Sequence, residues 1–235
     1  MDYLNSPRVT SVPVVGSDLR FAVNRVYCIG RNYADHAIEM GVDPRTDPPF
    51  FFCKPADTVI AAERDDEVLE IPYPPATRNL HHEVELVVAI GQGGRDIPRD
   101  RAVEHVFGYA VGIDMTRRDL QQAMRQAGKP WEIGKTFERC APISALRSIE
   151  HTGAIEHGEI ELWVDGASRQ HSDVSKLIWQ VSDIVADLSA LFTLYPGDLI
   201  FTGTPEGVGA VEPGHLMVAS VARVGMLRVR VAAGL

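Results

Sequence analysis

Two rhythms of hydrophobic and polar positions can be separated along the chain. Short apolar runs bounded by Gly, Pro or Asp predict strands at Val26–Gly30, Phe50–Cys53, Val68–Ile71, Val84–Ile90 and Tyr109–Asp114. Four more follow at Glu159–Val164, Leu199–Thr202, Leu216–Val221 and Leu227–Val231. Helical spacing is rarer. Leu120, Ala123, Met124 and Ala127 recur at i, i+3, i+4 and i+7 and stop at Gly128, predicting a helix over Asp119–Ala127. The same spacing runs from Leu177 to Phe192 and predicts one long helix over Val174–Leu194, closed by Pro196-Gly197. Many strands, few helices and no regular β-α alternation predict an α+β chain that is mainly β. The expected form is a β-roll or sandwich, largely antiparallel, with helices packed outside.

Residues 1–24 are rich in Pro, Ser and Val and read as an extended lead-in with a hairpin at Gly16-Ser17-Asp18. No repeat or low-complexity linker interrupts the remainder, so 25–235 is expected to form one catalytic domain. With 235 residues, 45% of them hydrophobic, the chain can bury a full core. The net charge of −9, without a Lys/Arg stripe, argues against nucleic acid as a partner. It also means that an anionic substrate needs a local positive centre. Cys28, Cys53 and Cys140 are widely spaced, match no zinc pattern and read as reduced thiols of a cytoplasmic protein. The start MDYLNSPRVTSVPVVGSD lacks the basic-then-apolar order of a signal peptide, and no apolar run is long enough to span a membrane.

Candidate chemistry concentrates at strand ends. In His81-His82-Glu83-Val84-Glu85-Leu86, side chains at i and i+2 of a strand share a face about 6.5–7 Å apart, so Glu83 and Glu85 point the same way. Either this is a solvated strand end, or a divalent cation relieves the repulsion between the two carboxylates. Oxygen ligands select a hard ion, Mg²⁺ or Mn²⁺. Asp114, at the tip of another apolar strand, completes a set of three that leaves half an octahedral shell open.

Gly30-Arg31-Asn32-Tyr33-Ala34-Asp35-His36-Ala37-Ile38-Glu39-Met40-Gly41 reads as a strand end, a turn and a short helix capped by Asn32. His36 and Glu39 fall on one face, as a surface ion pair or as a carboxylate-oriented general base. With the irregular stretch that follows, 32–48 is expected to form a lid. Lys54 and Lys135 each interrupt apolar surroundings, either as snorkelling side chains or as charges for an oxyanion. Arg118 and Gln121 share a helix face next to Asp114, and Asp119 suits a helix start. Gly203-Thr204 lies in a glycine-bordered loop without the GK[ST] ending of a phosphate loop, yet can contact a carboxylate. No GxSxG nucleophile motif is present. A non-catalytic acidic metal-binding protein would explain Glu83 and Glu85 but not His36, Lys135 and Arg118.

Taken together, GRNYADHAIEMG, FFFCKP, HHEVELVVAIG, GYAVGIDMTRRDLQ, GKTF and PGDLIFTGTPEGVG, in this order, resemble the fumarylacetoacetate hydrolase family from about Val26 to Val231. The resemblance implies the mixed β-roll of that family's C-terminal domain, in a homodimer. It implies one Mg²⁺ or Mn²⁺ per subunit on Glu83, Glu85 and Asp114, with His36 and Glu39 activating water. Lys135 and Gln121 are implied at the oxyanion. Arg118, Gly203 and Thr204 match substrate-holding positions, and Arg31 and Lys54 are placed in the same set. Arg117 fills a slot that is often small in relatives and is expected to meet a second substrate carboxylate. PPFFFCKPAD, MTRRDLQ and GKPWEIGK are most similar to members that cleave fumarylpyruvate in bacterial gentisate degradation. The implied reaction is hydrolysis of the C–C bond of an acylpyruvate. Oxaloacetate decarboxylation, or isomerisation or decarboxylation of a hydroxymuconate-type acid, is the alternative at the same site.

Overall fold

The computed structural model describes Leu4, residues 8–35 and residues 49–234. Alternation of side chains organises it. Along Val84–Ile90 every residue is buried, because the strand has a core on each face. Val84, Leu86, Val88 and Ile90 enter the larger core, whereas Val87 and Ala89 enter a smaller one on the opposite face. The odd-numbered face therefore continues through Glu85 towards Glu83.

Val84–Ile90 lies inside an eight-stranded mixed sheet. Its path runs Phe50–Lys54, Val26–Gly30, Leu199–Phe201, Val84–Ile90, Val106–Ile113, Ala141–Ile143, Val59–Ala61, and Arg147–Ser148 also pairs with Val106–Ile113. Most neighbours are antiparallel; Leu199–Phe201 with Val26–Gly30 and Ala141–Ile143 with Val59–Ala61 are parallel. A five-stranded sheet of Ala167–Asp173, Glu159–Val164, Leu216–Val221, Gly225–Ala232 and Val68–Pro72 supplies Ile160, Leu162, Ala219, Leu227 and Val229 to the larger core. The mainly-β roll with few outer helices expected from the sequence is the observed architecture. Near its start, Ser11–Pro13 and Arg20–Ala22 form the anticipated hairpin.

Two elements differ from expectation. The apolar rhythm of 174–194 does not make one helix: a short 3-10 turn, Val174–Lys176, is followed by an irregular stretch, and the α-helix covers Val181–Leu191. The interruption is a hydrogen-bonded dock. Asn32, fully buried, accepts from Trp179 N–H at 2.7 Å and donates to the Trp179 and Thr202 carbonyls at 2.9 and 2.8 Å. Its own carbonyl accepts from Ile178 N–H, and Gln180 with Asp183 forms a capping box that restarts the helix. Asn32 thus acts on a distant segment rather than only as a local cap. The second difference is Ala167–Asp173, a mostly polar edge strand that hydrophobic alternation does not reveal. Asp165-Gly166, both at positive φ, turns Glu159–Val164 into it, and that dipeptide was the available signal. Most of the expected 32–48 lid lies outside the described residues.

Because Asn32→Ala strands buried polar groups at Trp179 and Thr202, it should lower the unfolding free energy by about 2–4 kcal/mol in a urea titration. A loss below about 0.5 kcal/mol, the scale of an ordinary surface substitution, would contradict the docking role.

Candidate active site

The sheet's pleat brings three acids together. Glu83 and Glu85 extend the face of Val87 and Ala89, and Val84 pairs with Ile113, which sets Asp114 beside Glu83. Asp114 N–H donates to the Glu83 carbonyl at 2.8 Å. The three residues are at most 4% exposed, and each offers an oxygen within 4.8 Å of the others. Burial, followed by repulsion from Asp114 and Glu83, drives the Glu85 carboxyl well above its ordinary pKa, against the opposing pull of Lys135 and Gly203 N–H. An all-oxygen donor set with this cost of mutual ionisation fits a hard divalent cation. A second group, Glu159, Glu161 and His171, is largely exposed, and its closeness is explained by the 2.7 Å pairing of His171 with Glu161.

Three buried cations face the acids. Lys135 Nζ reaches Glu83 Oε2 at 2.7 Å, Asp114 Oδ2 at 2.6 Å and Thr116 Oγ1 at 2.8 Å. Lys54 Nζ pairs with Asp114 Oδ1 at 2.8 Å and donates to the Lys135 carbonyl. That ion pair joins strands four apart in the sheet order, so the sheet must curl to make it. Burial opposes both ammonium charges, but Asp114 (and Glu83, for Lys135) outweighs it, and both pKa values are raised. Arg118 binds Glu83 Oε1 and donates to Gln121 Oε1 at 2.5 Å. The helix Arg118–Gln126 holds these two side chains on its buried face, as the i, i+3 spacing predicted. It lies close to the short helix Glu132–Lys135 because Gly134 has no Cβ; one there would stand 2.7 Å from Gln121 N.

Thr204 and the backbone of Gly203 complete the floor. Gly203, at φ +95°, donates its N–H to Glu85 Oε2 at 2.7 Å, and a Cβ there would collide with Asn32. Thr204 Oγ1 accepts from Gln170 Nε2 at 2.8 Å. The same amide accepts from Val84 N–H and meets His82 Nδ1, so one polar side chain locks the acid-bearing strand to the Thr204 loop. Sequence reasoning missed Gln170, because its strand was missed. It also missed Thr116 and His81, whose pKa falls to about 4 through burial and then through Arg118, keeping the ring neutral near pH 7.

Ile29, Arg31, Phe52, Glu83, Glu85, Asp114, Arg118, Gln121, Trp131, Lys135 and Thr204 line one cavity. Arg31 sits at its rim with φ 60°, a left-handed conformation that costs a non-glycine residue about 1–2 kcal/mol. Lys54 lies behind Asp114 rather than on the cavity wall. Arg117 turns away: its guanidinium stacks 4.6 Å from the centre of Phe137 and does not line the cavity. It ends the short strand Thr116–Arg117, paired with Leu80–His82, whereas Arg118 opens the helix that follows. His36 and Glu39 lie outside the described residues.

The family model described as fumarylacetoacetate (FAA) hydrolase C-terminal matches residues 25–232. A fumarylpyruvate hydrolase of Ralstonia sp is 44% identical over 183 residues, 77% of this chain and 91% of that one. A mitochondrial oxaloacetate tautomerase of Oryza sativa subsp. japonica is 40% identical over 202 residues, 85% of this chain and 87% of its own. The crystal structure of fumarylpyruvate hydrolase from Pseudomonas aeruginosa, in complex with Mn²⁺ and pyruvate, superposes with a TM-score of 0.97 at 55% identity, covering 99% of this chain and all of that one. By fold, by extent of match and by motif order, this chain belongs to the fumarylacetoacetate hydrolase family.

Proposed function

We propose that this protein hydrolyses the C–C bond of an acylpyruvate, with fumarylpyruvate, cleaved to fumarate and pyruvate, as its substrate. The carrying observation is the single cavity in which Glu83, Glu85 and Asp114 meet Lys135, Arg118, Gln121 and Thr204. The 55% identity to a fumarylpyruvate hydrolase that binds Mn²⁺ and pyruvate supports the same reading. Glu83, Glu85 and Asp114 would hold one Mg²⁺ or Mn²⁺, which supplies Lewis-acid polarisation of a keto acid. Three carboxylates balance Lys54, Lys135 and Arg118, so adding a divalent ion leaves two positive charges, which suits a dianionic diketo acid.

The chain's own groups supply the remaining chemistry. Lys135 and Gln121, which line the cavity, are proposed to donate to the oxyanion at the attacked acyl carbonyl. Arg118 holds Gln121 and Glu83 in place, and Thr204 offers a hydroxyl to a substrate carboxylate. His36, oriented by Glu39, is proposed from sequence to take the proton of the attacking water. Residues 25–235 are read as the catalytic unit, after the 1–24 lead-in. Family resemblance supports a cytoplasmic homodimer working in gentisate-type aromatic breakdown; among the described residues no helix is long and apolar enough to cross a membrane. The rice relative favours a second reading, conversion of oxaloacetate at the same carboxylate site, at lower identity.

Purified protein with Mn²⁺ should release pyruvate from fumarylpyruvate faster than it consumes oxaloacetate, followed by loss of diketo absorbance and by a coupled pyruvate assay. Preference for oxaloacetate would favour the second reading. Asp114→Ala should abolish metal-dependent turnover, and His36→Ala should lower kcat by about 10²–10⁴; near wild-type turnover in His36→Ala would remove the proposed base. Lys54→Met leaves Asp114 without one of its two buried cations and should destabilise the metal-free protein by about 3–5 kcal/mol. Saturating Mn²⁺ should recover part of that loss in thermal unfolding, whereas an equal loss with and without Mn²⁺ would refute the charge-balance account.

A further inference from the structure

A second cavity, an annex, adjoins the carboxylate cavity: it shares Arg31, Phe52 and Trp131 with it and adds Phe50, Lys129 and Glu132. Its walls are built with some care by the sequence. Gly30 pairs with Phe50 across two strands, and a Cβ on Gly30 would fall 2.1 Å from the Phe50 ring, so only glycine lets that ring lie over the strand. Phe50 then meets Trp131 edge-on, with ring centres 5.0 Å apart, and Phe52 meets the same indole at 6.2 Å. Arg31 places its guanidinium 5.3 Å from the Phe50 ring centre and 5.8 Å from that of Trp131. Its left-handed backbone is the kind of local strain that gathers where a side chain must be aimed.

We infer that this annex reads the far end of the substrate: the aromatic corner packs a flat unsaturated acyl arm, and Arg31 receives a carboxylate at its tip. The inference rests on the acylpyruvate reading above and adds the residues that select an acyl group shaped as a short planar chain ending in an acid. Position selects Arg31 among the cations. Lys135 and Arg118 stand at the reacting end against Glu83 and Asp114, Lys54 lies behind Asp114, and Arg117 stacks on Phe137 away from the cavity. Arg31 alone of these five borders both compartments. Among the described residues, Lys129 and Glu132 also line the annex.

The test compares three substrates on the Mn²⁺-loaded enzyme: fumarylpyruvate, its distal monomethyl ester and acetylpyruvate. Wild type should show kcat/KM about 10- to 100-fold lower for the ester than for the acid, the scale of one charge-assisted contact. Arg31→Met should erase most of that acid-over-ester preference, and Arg31→Lys should restore part of it. Equal kcat/KM for acid and ester in wild type overturns the inference without needing any variant to fold, and leaves acylpyruvate hydrolysis standing. An unchanged acid-over-ester ratio in a folded Arg31→Met also overturns it. Failure of wild type to cleave any of the three would remove the hydrolase reading and this one together.

Discussion

Three carboxylates buried within 4.8 Å of one another are the constraint on which the rest of the structure depends. Left alone, they could not all ionise in a medium from which water is excluded. Lys54, Lys135 and Arg118 supply the compensating charge, and each must come from a different element: the strand Phe50–Lys54, the short helix Glu132–Lys135 and the helix Arg118–Gln126. The curl of the eight-stranded sheet is what lets the first of these reach Asp114. Charge compensation and fold closure are therefore the same interaction seen at two scales.

The arrangement explains why an acidic protein, net −9, can handle an anionic substrate. Its surplus negative charge lies elsewhere, while the three buried acids are matched by Lys54, Lys135 and Arg118 and would take on positive charge with a divalent ion. Specific recognition can then be divided by position. As proposed above, the reacting end of the substrate is assigned to Arg118, Gln121, Lys135 and Thr204, and the acyl arm to Phe50, Trp131 and Arg31. Gly30, Gly134 and Gly203 serve this geometry in the same way, each removing a Cβ where a site residue or its support must approach closely.

Much of the geometry of the carboxylate cluster was legible in the sequence, because it follows from a short-range rule. Two glutamates at i, i+2 on a strand share a face whatever the tertiary fold, and Arg118 with Gln121 at i, i+3 share a helix face for the same reason. What the sequence hid depends on contacts between distant segments. Gln170 sits in a polar edge strand with no hydrophobic alternation to announce it, yet it ties His82, Val84 and Thr204 together. Asn32 looked like a helix cap, but its amide stops the helical rhythm at Trp179, some 147 residues later. Arg117 and Arg31 exchanged prominence once direction was known, since charge alone does not say which arginine turns inward.

The central claim is that Glu83, Glu85 and Asp114 together hold one divalent ion that the reaction needs. Calorimetric titration with Mn²⁺ tests it most directly, on the wild-type chain and on Glu85→Gln, which keeps the shape of the side chain and removes its charge. The account predicts one ion per chain in wild type and a loss of at least tenfold in affinity in the variant, the scale expected on disturbing a metal site. Equal stoichiometry and affinity in the two proteins would contradict it.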